Sequence, residues 1–374
     1  MNHDTDDQLP LSGVRVVDFS TLLPGPLATL LMAEAGAEVI KIERPGNGED
    51  LRAFAPFRNG ESVNFALLNK GKRSVALDLK DPAGREELEE LIRGADVLVE
   101  QFRPGVMRRL KLDYASVSAI NPGIVYCSIT GYGQTGERAQ RAGHDLNYLA
   151  DTGMLALSGD AHGRPVNPPA LIADIAGGSY PAVMNILLAL RRRERTGVGS
   201  QLDISMTDNL FPLMFWALGE HLAGNAVPER GSGWCTGGSP RYRVYATSDE
   251  GFVAVAALEE RFWTKFCDVV EMPQALRDDL HDRPATTQWI ATAIAARSTA
   301  HWRDSFAGAN CCCNVMRSLE EVLSDRHYTE RGVFAGRLKF AATTIQALPL
   351  PLVPQFCRDE LLAAPAVGEK GEHS

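Results

Sequence analysis

Short apolar runs alternate with helical patterns along the first part of the chain. Val14–Phe19 and Glu38–Ile42 have the length and composition of strands, and Gly25–Ala35 between them has the pattern of a helix that ends at Gly36. A helix between two strands is typical of a βαβ unit, and such units build parallel sheets. The alternation therefore predicts an α/β fold with a parallel sheet.

The same alternation recurs further along the chain. Ser74–Leu79, Val97–Glu100 and Ile124–Ile129 are predicted strands, and Pro82–Ile92 and Val106–Ile120 are predicted helices. Several parallel strands joined by helices indicate a large doubly wound, Rossmann-like α/β domain.

The pattern changes in the middle of the chain. Leu146–Leu157 and Ser179–Arg193 are predicted helices, and a predicted strand at Leu202–Ser205 is followed by a long helix. Gly224–Pro240 is rich in glycine and predicts a linker or an active-site loop.

A hairpin pattern and further helical patterns follow this loop. Tyr242–Ala246 and Phe252–Ala256 flank a turn at Asp249-Glu250-Gly251, which predicts a β-hairpin. Predicted helices come next, at Glu260–Val270, Thr287–Ala296 and Ala300–Ala307. We expect residues 241–334 to form a smaller α+β domain and the Pro- and Leu-rich segment Leu348–Pro354 to be irregular.

Charge and hydropathy limit the classes of partner. The formal net charge of −9 disfavours nucleic acid and anionic membranes. The N-terminal sequence MNHDTDDQLP lacks the basic and apolar regions of a signal peptide. The most apolar helix candidate, Tyr180–Leu190, is shorter than a membrane span. We therefore expect a cytoplasmic or organelle-matrix protein that binds neither nucleic acid nor membranes.

The cysteines predict neither disulfides nor a metal site. Their odd number, seven, without a signal peptide indicates reduced thiols. The run Cys311-Cys312-Cys313 is unusual, but adjacent side chains point in different directions, and no Cys-x-x-Cys pair occurs in the sequence. We interpret these residues as small buried apolar side chains.

The ends of the predicted strands suggest what kind of ligand the sheet binds. The first turn, Ser20–Pro26, has one glycine where a dinucleotide-binding turn has Gly-x-Gly-x-x-Gly. Basic residues recur near strand ends instead: Arg44, Lys70, Lys72, Arg73, Lys80, Arg103, Arg108 and Arg109. Ligands of open α/β sheets bind beyond the carboxyl ends of the strands. The recurrence leaves two interpretations open, a ligand with several phosphates and solubilising surface charge, and for any single residue surface charge is the better interpretation.

Four residues are candidates for acid–base chemistry. His144 and Asp145 lie where a loop enters a predicted helix, so His144 is a candidate base and the N–H of Asp145 a candidate oxyanion donor. Asp174 interrupts an apolar run, where burial would raise its pKa. Glu259 lies where a predicted strand meets a helix and is a candidate partner for a histidine. Each has a structural alternative as a helix cap or a first-turn residue, and position alone favours that alternative for His144 and Asp145.

Taken together, several segments resemble one enzyme family. They are Leu11–Val16, Pro24–Pro26, Gly36–Pro45, Arg103–Gly105, Gly131–Gly136, Gly143–Tyr148, Asp174 and Ala257–Glu259. Their order and spacing are similar to those of the family III CoA-transferase superfamily, also called the carnitine dehydratase/bile-acid-inducible protein F type. The Gly-His-Asp-x-Asn-Tyr segment resembles the α-methylacyl-CoA racemase branch. The similarity extends from about Leu11 to about Gly332.

The resemblance implies a distinctive architecture. Two elongated chains would interlock as a homodimer. Each chain would have a large α/β CoA-binding domain built from both of its ends, at residues 1–205 and about 335–374. Residues 206–240 would form a linker helix and a Gly-rich loop before the smaller domain.

The resemblance also implies a substrate and a site. Coenzyme A would enter as part of an acyl-CoA substrate, and no prosthetic group or metal would be needed. The implied CoA-binding residues are Arg44, Leu77, Lys80, Arg103, Arg109 and Tyr148. One of His144 and Asp174 would remove the proton next to the thioester carbonyl and the other would return one. The N–H of Asp145 would stabilise the enolate, and Glu259 would polarise His144.

Two other functions remain open from the sequence. In a CoA-transferase, Asp174 would attack the thioester and form a mixed anhydride; His144 counts against this function, and the glycines of Gly231–Gly238 count slightly for it. A non-catalytic acyl-CoA binder would need none of the candidate catalytic residues. Departures from the racemase pattern at Thr236–Pro240 and Asn314-Val315 leave the acyl group undetermined.

Overall fold

The computed structural model describes residues 9–160 and 163–368. Its strands are β1 Arg15–Asp18, β2 Glu38–Glu43, β3 Phe57–Arg58, β4 Glu61–Ser62, β5 Arg73–Ala76, β6 Val97–Glu100, β7 Val125–Thr130, β8 Ser200–Ser205, β9 Tyr242–Ala246, β10 Phe252–Ala256, β11 Cys313–Val315, β12 Arg337–Phe340 and β13 Thr343–Gln346.

Its α-helices are α1 Pro24–Glu34, α2 Val63–Asn69, α3 Pro82–Arg93, α4 Val106–Arg109, α5 Tyr114–Ile120, α6 Asp145–Asp151, α7 Met154–Leu157, α8 Tyr180–Thr196, α9 Phe215–Leu222, α10 Glu260–Val269, α11 Arg283–Ala295, α12 Thr299–Phe306, α13 Leu319–Leu323 and α14 Arg326–Glu330.

The chain divides into two compact units. The first contains the described residues of Met1–Thr152, Pro168–Phe211 and Arg326–Ser374. The second contains those of Gly153–Asn167 and Pro212–Asp325. The described residues of 153–167, predicted for the large domain, and residues 212–240, predicted as part of a linker, belong to the second unit.

Six parallel strands form the central sheet of the first unit, in the order β5-β2-β1-β6-β7-β8. Val16 of β1 lies opposite Val39 of β2 on one side and opposite Val97 of β6 on the other. The chain therefore adds strands in one direction from β1 and then, from β6 onward, in the other. This order confirms the predicted doubly wound α/β fold, and such folds bind ligands where the order reverses.

Helices cover the sheet because its strands are apolar on both faces. Val17, Leu98 and Tyr126 pack in a buried cluster with Leu88 and Ile92 of α3. Helix α8 packs against α1 and against strands β7 and β8.

Helix α8 forms most of one long apolar helical segment. Ala173–Thr196 is long and apolar enough to cross a membrane by length and mean hydropathy, and half of its most apolar window is buried. Ala182, Ile186, Ala189 and Leu190 are among the buried residues of α8. The helix is longer than the predicted apolar segment, and its packing against the sheet explains its composition.

The second unit contains an antiparallel sheet in the order β11-β10-β9. Val253 pairs with Tyr245 of β9 and with Val315 of β11. Trp263 and Trp302 fill the core beside this sheet. The structure places the predicted hairpin at its expected residues and adds a third strand, which the Cys311-Cys312-Cys313 run leads into.

Two predicted helices are divided in the structure, and one hairpin was not predicted. The predicted helix over 106–120 is two helices, and Lys111 between them has a φ of 54°. The predicted helix over 146–157 is interrupted at Gly153, whose φ is 83°. The C-terminal part contains the β12–β13 hairpin, in which Leu338 and Phe340 pack against Ala66 of α2. Left-handed residues end helices locally, whereas the hairpin depends on packing against a distant helix.

A buried ionic network lies beneath the end of β1. Asp18 is fully buried, and Lys72 contacts its carboxylate at 3.3 Å. Lys72 also donates to Thr29 Oγ1 at 2.8 Å, and Lys41 donates to the carbonyl of Ser20 at 2.8 Å. Burial alone would raise the pKa of Asp18, but Lys41 and Lys72 hold it below its usual value. The network fixes the turn that follows β1.

Removing the Lys72 charge should destabilise the protein strongly. Lys72→Met keeps most of the side-chain volume but leaves the Asp18 carboxylate without one of its two cations. We expect the free energy of unfolding to fall by about 3 kcal/mol, because a buried charge without its partner is costly. Urea unfolding measures the change.

An exposed cation provides the control. Arg93 pairs with Glu90 on the surface of α3, so Arg93→Ala should change the free energy of unfolding by less than about 0.5 kcal/mol. Equal effects of the two substitutions would contradict a stabilising role for the network.

Candidate active site

A cavity of about 420 Å³ opens at the carboxyl ends of β1, β6 and β7. Leu22 and Pro24 follow β1, Gln101 and Arg103 follow β6, and Gly131 follows β7. The cavity therefore lies where the strand order reverses, which is the place that the fold predicts for a ligand.

The side chain of Gln101 forms hydrogen bonds at the N-terminus of α1, beside the point where the strand order reverses. Gln101 Oε1 accepts the backbone N–H of Gly25 at 2.9 Å, and Gln101 Nε2 donates to the carbonyl of Thr21 at 2.6 Å. A Cβ at Gly25 would lie 2.1 Å from Ser20 Cβ. The carboxamide occupies the helix end where a Rossmann fold binds a pyrophosphate, in agreement with the missing glycine pattern. The sequence analysis did not identify Gln101.

His144 enters the cavity from the residue that precedes α6. Its backbone is extended, with a φ of −127° and a ψ of 176°. Its N–H donates to Asn147 Oδ1 at 3.0 Å, which is half of a capping-box arrangement. The side chain is exposed and lines the cavity.

Asp145 is buried and connects two segments of the site. Its Oδ1 accepts the backbone N–H groups of Ala173 at 2.6 Å and of Asp174 at 3.1 Å. The carboxylate of Asp145 therefore fixes the start of α6 to the segment that carries Asp174. Sequence reasoning assigned a role to the N–H of Asp145 but did not predict this contact of its side chain.

Asp174 lies in a π-helical segment, Ala173–Ser179, that leads into α8. Gly177 and Gly178 allow this segment to pack closely: a Cβ at Gly177 would lie 2.5 Å from the carbonyl oxygen of Met206. Ser179 Oγ donates to the carbonyl of Pro24 at 2.8 Å. Wide helical turns of this kind occur frequently at functional sites, and this one places Asp174 in the same cavity as His144.

The surroundings of Asp174 favour its neutral form. Burial and, to a smaller extent, the Asp145 carboxylate raise the pKa of Asp174 to about 6, and His144 acts in the opposite direction. Burial also raises the pKa of Asp145, although the N–H groups of Asp174 and Ala173 lower it. Asp174 thus titrates near the range in which a carboxyl group exchanges protons with a carbon acid most effectively.

Other side chains line the cavity beside these groups. Tyr148 and Arg103, both predicted from the resemblance, are among them. The sequence assigned no role to the other lining residues with polar or bulky apolar side chains, which are Leu22, Gln101, Phe102, Ile129, Thr130, Arg141, Asn147 and Met206. No local pattern distinguishes these residues, because the fold brings them together from five separate segments.

The remaining predicted CoA-binding residues lie elsewhere in the first unit. Arg44 follows β2 and pairs with Asp50 on the surface. Leu77 follows β5 and belongs to the buried core, and the side chain of Lys80 is exposed nearby. Arg109 is exposed at the end of α4. None of these four lines the cavity of His144 and Asp174.

The expectation for the basic run before β5 is wrong. Lys70, Lys72 and Arg73 lie at the amino end of that strand, not at its carboxyl end. Lys70 contacts Glu34 at 2.6 Å and is buried, and Lys72 belongs to the Asp18 network. These two lysines balance buried carboxylates, which a charge pattern alone does not reveal.

Glu259 and the cysteine run belong to the second unit. The carbonyl of Glu259 accepts from the N–H of Trp263 at 3.0 Å at the start of α10, and its side chain is exposed. Cys311 and Cys313 are buried in the core of that unit. Within residues 9–160 and 163–368, no group of three or more His, Cys, Asp or Glu side chains is arranged to hold a metal ion.

Comparison with known proteins identifies the family. The sequence matches CoA-transferase family III over residues 11–370. It is 33% identical to the human (Homo sapiens) alpha-methylacyl-CoA racemase over 372 residues, which cover 97% of this chain and 92% of the relative. It is 32% identical to the succinyl-CoA:glutarate CoA-transferase of Mus musculus over 383 residues, which cover 99% of this chain and 86% of the relative.

A solved structure agrees with the sequence comparisons. A CAIB/BAIF family protein from Brucella suis superposes with a TM-score of 0.79 at 27% identity, covering 96% of this chain and 97% of that protein. The sequence match, the relatives and the superposition all extend over nearly the whole chain, and the chain therefore belongs to CoA-transferase family III.

Proposed function

We propose that this enzyme epimerises a 2-methylacyl-CoA thioester by transferring the proton at the carbon next to the carbonyl. The observation that carries the proposal is the joint placement of His144 and Asp174 in one cavity, where Asp145 fixes their two segments to each other. An imidazole and a carboxyl group of raised pKa are a suitable pair of bases for such a carbon.

The proposed reaction uses His144 and Asp174 of this cavity together with the backbone N–H of Asp145. The thioester carbonyl oxygen binds at the first turn of α6, where the N–H of Asp145 points out of the helix as every first-turn N–H does. One of His144 and Asp174 removes the α-proton, which leaves an enolate, and the oxygen of the enolate is stabilised by this donor. The other base then returns a proton to the opposite face, which inverts the carbon.

The CoA moiety is proposed to follow the carboxyl edge of the sheet. Arg103 and Tyr148 line the cavity itself, and Arg44, Leu77, Lys80 and Arg109 come from segments beyond β2, β5 and β6. Guanidinium groups suit the diphosphate and the 3′-phosphate of CoA. Coenzyme A enters as part of the substrate, and Glu259 is proposed to orient His144.

A homodimer is also proposed. Leu188 on α8 of the first unit is 62% exposed, and Phe215 and Leu222 on α9 of the second unit are 57% and 83% exposed. Exposed large apolar side chains are candidates for burial in a protein contact. They support the interlocked homodimer that the resemblance implies, and the cytoplasmic location stays a prediction.

A CoA-transferase is the second candidate function. Asp174 is an accessible carboxylate within the cavity, and a succinyl-CoA:glutarate CoA-transferase is about as similar to the chain as the racemase. In that reaction the Asp174 carboxylate attacks the thioester carbonyl, the CoA thiolate leaves, and a mixed anhydride forms. The His144 imidazole has no part in that step, which is why we favour proton transfer. A non-catalytic acyl-CoA binder is the third candidate, and neither His144 nor Asp174 is needed for it.

Incubation of one enantiomer of a 2-methylacyl-CoA in deuterated buffer tests the proposed function. We expect the substrate to gain one deuterium at the α-carbon and to lose optical purity. Mass spectrometry measures the deuterium, and chiral separation measures the optical purity. His144→Ala and Asp174→Ala should each slow inversion by about 100-fold or more, because each removes a proton-transfer group.

The transferase predicts a different outcome of the same incubation. An added free carboxylate would receive CoA without deuterium entering the α-carbon, and hydroxylamine would trap the acyl group at Asp174. That result would overturn the proposed proton transfer. Tight binding of CoA with no change in any thioester would favour the non-catalytic binder.

The midpoint of the pH profile of kcat/KM should depend on the negative charge of Asp145. For the enantiomer whose proton Asp174 removes, kcat/KM should rise with pH through about 6, because only the ionised carboxylate is a base. Asp145→Asn keeps an oxygen that accepts the two N–H groups but removes the negative charge. The repulsion that disfavours ionised Asp174 is then lost, and the midpoint should move to lower pH.

The control for this shift is an exposed carboxylate. Glu137 lies in the loop after β7 with its side chain 88% exposed, and solvent and salt screen such charges. Glu137→Gln should leave the midpoint unchanged. A midpoint that does not move in Asp145→Asn, or that moves to higher pH, would contradict the assigned coupling of Asp145 and Asp174.

A further inference from the structure

Tyr148 contacts the segment that carries His144. Its hydroxyl donates to the carbonyl oxygen of Gly143 at 2.6 Å, and Gly143 immediately precedes His144 in the chain. The next peptide N–H, that of His144, donates to Asn147 Oδ1 at 3.0 Å. Polar groups of α6 therefore hold the peptide bond before His144 at both its oxygen and its nitrogen.

The ring of Tyr148 is fixed by close packing. A Cβ at Gly131 would lie 2.5 Å from Tyr148 Cε1, and a Cβ at Gly143 would lie 2.6 Å from the same atom. The Tyr132 ring packs edge-on against it, with centroids 5.3 Å apart and planes at 82°. Because both glycines leave space that the ring fills, the ring has little freedom to move away from Gly143.

A second layer of contacts supports this arrangement. Tyr132 donates its hydroxyl to Asp151 Oδ2 at 2.6 Å, and Arg141 contacts the same oxygen at 2.9 Å. Asp151 and Tyr148 are three residues apart in α6, so they lie on the same side of the helix. Asp151 of α6 therefore holds Tyr132, and Tyr132 in turn packs against the ring of Tyr148.

The chemistry of the Tyr148 hydroxyl suits a permanent donor. Burial raises the pKa of Tyr148 to about 12, and Asp174 acts in the same direction. The phenol therefore stays protonated near pH 6, where Asp174 titrates. Its proton is directed to the Gly143 carbonyl and is not available to a substrate.

We propose that Tyr148 is a positioning residue for His144, through its hydrogen bond to the Gly143 carbonyl, and that its hydroxyl contributes to the proton-transfer step more than to CoA affinity. The proposal rests on the proposed function, since it assumes that His144 moves a proton. It assigns to Tyr148 a role different from lining the CoA site, and the two roles predict different kinetic effects.

Tyr148→Phe separates these roles. The face served by His144 is first assigned with His144→Ala, from the enantiomer whose deuterium exchange is lost. In Tyr148→Phe, exchange of that same enantiomer should fall about tenfold, because small displacements of a catalytic group slow its reaction. Exchange of the other enantiomer and the KM for acyl-CoA should each change less than about twofold.

Tyr126→Phe is a matched control. Tyr126 is also buried and donates its hydroxyl to a main-chain carbonyl, that of Leu112, at 2.8 Å. The thermal stability of Tyr126→Phe should fall by about as much as that of Tyr148→Phe. The exchange rates of both enantiomers should stay at their wild-type values in Tyr126→Phe.

Each result has a distinct meaning. Equal slowing of both enantiomers in Tyr148→Phe would show a general structural effect, and a change confined to KM would show a CoA-binding role. Either result, or no change at all, would overturn the proposed role of Tyr148 while the proposed function stands. Absence of exchange in the wild-type enzyme would overturn the proposed function and, with it, this inference.

Discussion

The site depends on the reversal of strand order between β1 and β6. After β1 the chain adds strands toward one edge of the sheet, and after β6 it adds them toward the other edge. A crevice remains between the turns that follow β1 and β6. In dinucleotide-binding folds the first of these turns is rich in glycine, so that a pyrophosphate reaches the helix end. Here Gln101 closes that end by bonding to Gly25 and Thr21. The crevice is therefore lined by His144, which precedes α6, and by Asp174, which lies in the segment before α8.

The Asp145 carboxylate affects Asp174 in two ways. Its oxygen receives the N–H groups of Ala173 and Asp174, which sets the position of Asp174 relative to the start of α6. Its charge, added to the burial of Asp174, raises the pKa of the Asp174 carboxyl to about 6. A single buried carboxylate thus fixes the position of its neighbour and adds to the effect of burial on the pKa of that neighbour.

The sequence was sufficient for features that depend on local pattern. The βαβ unit from β1 to β2, strand β6 and the β9–β10 hairpin have local periodicity and turn residues, and the structure has them within one or two residues of the predicted bounds. Strand β11 is different, because it pairs Val315 with Val253, which is distant in sequence. Such a strand is short and is recognised only from its partner.

The candidate site shows the same limit. His144, Asp145 and Asp174 were identifiable because they lie in a recognisable segment or interrupt an apolar run. The roles of Lys72 and Gln101 were not, since Lys72 balances the buried Asp18 and Gln101 bonds to a turn 76 residues away. Both functions exist only after the sheet has formed, and neither leaves a local pattern.

His144 and Asp174 are proposed to act on one carbon from opposite faces. The decisive experiment measures, in deuterated buffer, α-proton exchange of each enantiomer separately in His144→Ala and in Asp174→Ala. A two-base reaction predicts a reciprocal pattern, in which each variant loses exchange with one enantiomer and keeps exchange with the other. Loss of exchange with the same enantiomer in both variants would contradict it.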